Sequence, residues 1–129
     1  MSKDALEIVI PDVDVKSGLA LCDGEVKIYL QSLYLFTGNI PEALGRIRNV
    51  TADALGDYTV SVHGIKGMCS YIGAEDARKV AKQLEEMAKN GDLEGVLARN
   101  GNFILHVENI IANIQSWLKS NEANLVQYR

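Results

Sequence analysis

Residues 62–73 read VHGIKGMCSYIG, and the placement of this stretch decides how the rest of the chain is read. On a helix, His63 has Lys66 and Gly67 as neighbours one turn on, because side chains three and four residues apart share a face. The flanking sequence supports a helix. Leu55, Tyr58, Val62, Ile65, Cys69 and Ile72 recur at three- and four-residue steps and make one apolar stripe. At about 100° per residue, the centre of that stripe lies roughly 130° from His63, so the ring is expected to face solvent. Thr59, Gly67 and Ser70 fall on the same exposed side, and Lys66 is offset by roughly 60°. A glycine inside a helix costs about 1 kcal/mol against alanine, and Gly64 and Gly67 incur that cost twice beside one exposed ring. This suggests a bare surface with a use, where another molecule's backbone can come close to His63. The plainer alternative is that both glycines are merely tolerated, or serve tight helix packing.

Working outward, this helix is predicted from residues 51–53 to Gly73. Upstream, a short helix is expected over Asp14 to Leu21, capped by Asp14 or Asp12. A second begins near Asp23 and turns Tyr29, Leu30, Leu33, Phe36, Ile40 and Leu44 to one side. Pro41 interrupts it, and a bend or brief break is expected there because proline removes one backbone hydrogen bond. Downstream, a helix from about Ala74 to Asn90 buries Ala77, Val80, Ala81, Leu84 and Ala88, with Gly91 as its C-cap. Asp92 then caps a long last helix whose seam is Val96, Phe103, Val107, Ile110, Ile114 and Trp117. Strand-like alternation is confined to LEIVI at residues 6–10. The expected fold class is all-α: an antiparallel four-helix bundle with a short N-terminal capping helix, forming a single domain over residues 1–129.

The totals narrow the function. The 129 residues are 47% hydrophobic and 23% charged, as in soluble globular domains, and the net charge is −4. An acidic chain offers no basic face for nucleic acid, so a protein partner is expected. No run of about 18 apolar residues is present to cross a bilayer. The opening MSKDALEIVIPDVD lacks the basic start and apolar core of a secretory signal, so a cytoplasmic location is expected. Cys22 and Cys69 are far apart, lie among apolar residues and are read as reduced, buried thiols.

HGIKG, with Ser70 and then Gly73-Ala74 after it, resembles the H-x-x-K-G signature of histidine-containing phosphotransfer (HPt) domains. VDVKSGLALCDGEVKIYLQSLYLF resembles the first two helices of that family, and DARKVAKQLEEMAKNGD the helix after its phosphorylation site, so the resemblance covers nearly the whole chain. It implies that His63 carries a phosphoryl group on Nε2, becoming phosphohistidine. Lys66 would offset the phosphate charge of nearly −2. Gly67 would leave room for the aspartate loop of a partner, with Thr59, Gly64 and Ser70 on the same docking surface. Family members often place a glutamine where this chain has Glu85, and that departure leaves the role of Glu85 open, although a carboxylate could accept a proton from the other ring nitrogen. Lys89 matches a position where some relatives are basic. Met68 and Cys69 replace a pair that is usually small, with Cys69 facing the core.

Neutral imidazole is nucleophilic near pH 7, and the phosphoramidate it forms is high in energy. The resemblance therefore implies a phosphoryl carrier and not an enzyme. It would be monomeric and without a cofactor of its own, and the partner would bring the magnesium. That partner would be a response-regulator receiver domain with its aspartate, a histidine kinase, or both. The other reading is a helical-bundle docking module that binds a protein through the same patch without phosphate. His106 is read as half-buried packing and not as a metal ligand. Glu75, Asp76, Glu85 and Glu86, interleaved with Arg78, Lys79, Lys82 and Lys89, are read as a solvated face with i,i+4 pairs. Lys66, taken as an exposed cation, is expected to contribute less than about 1 kcal/mol to stability.

Overall fold

The structure, a computed structural model, describes residues 6–128. Local chemistry sets where its helices begin. The Asp14 carboxylate accepts from the Ser17 backbone N–H at 3.2 Å and from the Ser17 hydroxyl at 2.7 Å, capping α1 (Val15–Leu21). Asp23 then adopts a left-handed backbone, φ 53°, which a short polar side chain tolerates. The turn it makes delays α2 (Val26–Arg46) by three residues relative to the start expected near Asp23. The helix does not end at Pro41, as expected, and it continues there without the brief break that was one of the two forms of interruption expected. Pro41 lies on the exposed side, where water can satisfy the Thr37 carbonyl that loses its partner. Ile40, Ala43 and Leu44 hold the two halves against the core.

A 3₁₀ turn at Ala52–Ala54 leads into α3 (Leu55–Ile72), which Gly73 ends in the left-handed conformation, φ 85°. α4 (Glu75–Lys89) follows directly. Asp92 accepts from the Gly95 N–H to cap α5 (Leu93–Ser120), and α6 (Glu122–Leu125) and a last 3₁₀ turn, Val126–Tyr128, close the described chain. All regular structure among the described residues is helical; residues 6–10 alternate between exposed and covered positions but form no strand. No helix among the described residues is long and apolar enough to cross a membrane.

α3 packs on both α2 and α4, and α5 packs on both α4 and α2, so four apolar faces meet in one core around Leu33, Ile40, Ile65, Leu84, Phe103 and Ile110. Polar ties pin α3 at both ends. Near its start the Tyr58 hydroxyl donates to buried Asn100 at 2.8 Å, whose amide donates to the Ile47 carbonyl at 2.7 Å. At its end the Tyr29 hydroxyl donates to the Ile72 carbonyl at 2.6 Å, and the Asp14 N–H to the Gly73 carbonyl at 2.7 Å. α1 crosses this second end so closely that a Cβ on Gly18 would lie 2.4 Å from the Tyr29 ring. Cys69 is fully buried, and burial pushes its thiol up to about 12. Cys22 is free but only half-buried, less enclosed than expected.

Candidate functional site

Between those pinned ends α3 presents His63. Val62 and Ile65 point into the core, which leaves the ring on the outer side, 65% exposed. Its partner comes from α4. Glu85 is buried, and its side chain is only 5% exposed, so it does not belong to the solvated carboxylate face of α4 where the sequence placed it. That face is an incomplete description because α3 lies over this edge of α4. Glu85 Oε2 is 2.6 Å from His63 Nδ1, and Glu85 Oε1 accepts from the Lys66 ammonium at 2.7 Å. The Lys89 ammonium, 60% exposed, stands 3.4 Å from Oε2. One carboxylate thus gathers the ring and two cations.

Burial by itself pushes the Glu85 carboxyl up. Hydrogen bonds from Lys66 and His63, with the charges of both, outweigh that and hold it at about 2, below the ordinary 4.5. It is ionised at neutral pH and can only accept hydrogen bonds. His63 Nδ1 therefore carries a hydrogen, and no hydrogen bond among the described residues engages Nε2. Lys66 is anchored by this carboxylate and only a quarter exposed, so it is not the freely exposed cation expected from the sequence.

The glycines are bare, as expected. A Cβ built on Gly64 or Gly67 would meet nothing within 4 Å, so neither is there for tight helix packing. Thr59 and Ser70 are half-buried, and each hydroxyl is spent on its own helix: Thr59 donates to the Leu55 carbonyl at 2.8 Å and Ser70 to the Lys66 carbonyl at 3.1 Å. They border the site without offering it a free group. Beside Gly67 an apolar groove runs between α2 and α3, lined by Ser32, Leu35, Phe36, Asn39, Met68 and Tyr71. Leu35 and Tyr71 are each 64% exposed, and Val60, one turn before Gly64, is 74% exposed.

A family model described as Hpt domain matches residues 31–117. The chain belongs to the Hpt domain family. No curated protein and no solved structure matches. The span matched to the Hpt domain runs from within α2 to near the end of α5 and contains His63, Lys66, Gly67, Glu85 and Lys89. Hpt domains are phosphocarrier modules of histidine phosphorelays and not enzymes.

Two features of this Hpt domain escape sequence reasoning. The groove could have been suspected from Tyr71, which falls outside the apolar stripe of α3. His106 is half-buried, as read, but its Nε2 also pairs with Asp12 at 2.5 Å, while Asn113 donates to the Pro11 carbonyl at 3.1 Å. These contacts lie on α5 and strap the N-terminal segment to it, with no signal in spacing because the partners are far apart in sequence.

Proposed function

We propose that this Hpt domain accepts a phosphoryl group on His63 Nε2 and exchanges it with the aspartate of a receiver domain, with or without a histidine kinase as first donor. The observation that carries this reading is an exposed imidazole whose Nδ1 is engaged by an ionised, buried carboxylate. Such a ring is oriented, with Nδ1 engaged and Nε2 left unengaged as the candidate nucleophile. Phosphoryl transfer asks for positioning and charge neutralisation more than for covalent assistance. Glu85 fixes the ring. Lys66 is held where its ammonium can turn to a phosphoryl oxygen while Lys89 remains with Glu85. The partner supplies the magnesium and its acidic pocket.

Docking occurs over Gly64 and Gly67, with Val60, Tyr71 and Leu35 as the apolar contact surface; exposed apolar groups grouped around a reactive ring fit a protein partner. The chain is taken as one unit over residues 1–129 and as a monomer in the cytoplasm. Its four long helices are read as an antiparallel bundle with α1 capping one end. The two-residue Gly73-Ala74 joint between α3 and α4 supports that reading, since short connections favour antiparallel neighbours.

Incubation with phosphoramidate, and separately with a phosphorylated receiver, tests the proposal. Label should appear on His63, be labile to acid and stable to alkali, and vanish in His63→Gln. Equal labelling of His63→Gln, or receiver binding without any transfer, would instead support a docking module that uses no phosphate.

A further inference from the structure

Away from His63, α4 and α5 border a cleft of about 320 Å³ lined by Val80, Gln83, Arg99, Asn102, Phe103 and His106. We propose that this cleft receives an acidic, extended segment of a partner protein, and that Asp12 of this chain is its internal competitor. The proposal does not depend on phosphorylation of His63. On α4, Val80 and Gln83 are turned roughly 150° from Glu85, so an occupant of the cleft leaves the His63 ring open. A partner held here is tethered to the domain without blocking the site on α3.

The lining suits carboxylates. Half-buried His106 already holds one: an ionised carboxylate only accepts hydrogen bonds, so His106 Nε2 donates to Asp12 across 2.5 Å. Arg99 precedes His106 on the same side of α5 by two turns, about 10 Å. It is exposed and forms no ion pair among the described residues, and the Gln83 and Asn102 amides form no side-chain hydrogen bond there. A guanidinium takes a carboxylate through two parallel bonds, the strongest polar recognition a surface offers. Val80 and Phe103 supply the apolar part of the lining. Extended chain advances about 3.3 Å per residue, so two carboxylates separated by two apolar residues reach Arg99 and His106 together.

Asp12 is an insecure occupant. Its backbone is left-handed, φ 66°, a conformation that costs free energy in a residue with a Cβ. It also lines a second cleft with Asp14, Glu75 and Asp76, and so stands among three further carboxylates. Arg78 is committed to Glu75 and does not offset them. A carboxylate arriving from a partner would exchange one bond to His106 for an equivalent one, relieve that repulsion and free the strained backbone. Buried Ile10, and the Asn113 amide bonded to the Pro11 carbonyl, keep the rest of the segment on α5 when Asp12 lets go.

The test titrates the ¹⁵N-labelled full chain with the peptide acetyl-Gly-Asp-Leu-Leu-Asp-Gly-amide, and with the same peptide carrying asparagine in place of both aspartates. The acidic peptide should shift the signals of Gln83, Arg99, Asn102 and His106 and leave those of His63 and Lys66 unmoved, with a Kd on the order of 1 mM. Binding should weaken as salt is raised from about 50 mM to about 200 mM. The neutral peptide should bind at least about tenfold more weakly, and Arg99→Gln should weaken the acidic peptide to a similar degree. Asp12→Asn should tighten binding by about threefold or more, because less of the protein is occupied by its own carboxylate. Equal binding of the two peptides, unchanged binding in Asp12→Asn, or shifts centred on Lys66 and Lys89 overturn the proposal. The absence of any shift at about 10 mM peptide overturns it equally. If a variant does not fold, the two peptides and the salt series on wild type decide alone.

Discussion

The roles of single residues divide sharply between what spacing could reveal and what it could not. His63, Lys66 and the bare Gly67 were legible because helical arithmetic depends only on positions along one element. Spacing alone did not single out Glu85, because an acidic residue among Glu75, Asp76 and Glu86 looks like its neighbours until α3 is laid across it; the family resemblance placed it at the site and left its role open. Its burial changes what Lys66 is worth. Lys66→Ala should now cost about 1–2 kcal/mol in urea denaturation, above the surface value. Removing one partner of a buried ion costs up to about 5 kcal/mol, and here His63 and Lys89 remain. Combining it with Lys89→Ala should cost more than the sum of the two single changes by at least about 0.5 kcal/mol, because both cations serve one carboxylate. Additive losses would show Glu85 to be satisfied by the ring and water alone. Gly67→Gln should leave the fold intact and phosphoramidate labelling unchanged, while transfer from a receiver falls on the order of a hundredfold, since about 1 Å of misplacement has that effect. Equal loss of both reactions would mean that Gly67 shapes the helix around His63 and not the docking surface.

At the scale of elements, caps were read well and interruptions poorly. Asp14, Gly73 and Asp92 stop or start helices through their own side chain or backbone freedom, which is local information. Pro41 looked like an interruption, but whether a missing hydrogen bond breaks a helix depends on the packing on either side of it. The turn before α2 runs through left-handed Asp23 and Gly24, an Asp-Gly pair that is itself a turn signal and that a helix start near Asp23 overlooks. The joint between α3 and α4 is the least replaceable of these features. A Cβ on Gly73 would lie 2.0 Å from the Asp14 carbonyl, on a backbone already left-handed. Gly73→Ala should therefore destabilise the protein by about 2–4 kcal/mol in denaturant titration, through strain and through separation of α1 from the end of α3. A loss below about 1 kcal/mol would show that α1 yields freely.

For the whole molecule, the site and the fold share one electrostatic term. The folded protein holds the Glu85 carboxyl at about 2 against an ordinary 4.5, a depressed value, so its contribution to stability is fully present above about pH 4.5 and is lost as pH falls toward about 2. Denaturation midpoints measured down that range should decline in wild type and decline less steeply in Glu85→Gln. Identical slopes would place the acid sensitivity elsewhere. The exposed His63 ring, taken as the proposed phosphoacceptor, has a further consequence for traffic through the domain. With His63 in that role, every donor and every acceptor would have to occupy the same few square nanometres around it, so no two could be seated together. On that proposal exchange would run by alternate occupancy, with partners competing for one berth. Raising the amount of unphosphorylated receiver should slow loading by a kinase, and the slowing should disappear when the kinase is raised to match. Throughput is governed by how quickly each partner leaves, and a receiver that binds too tightly would throttle the relay it belongs to.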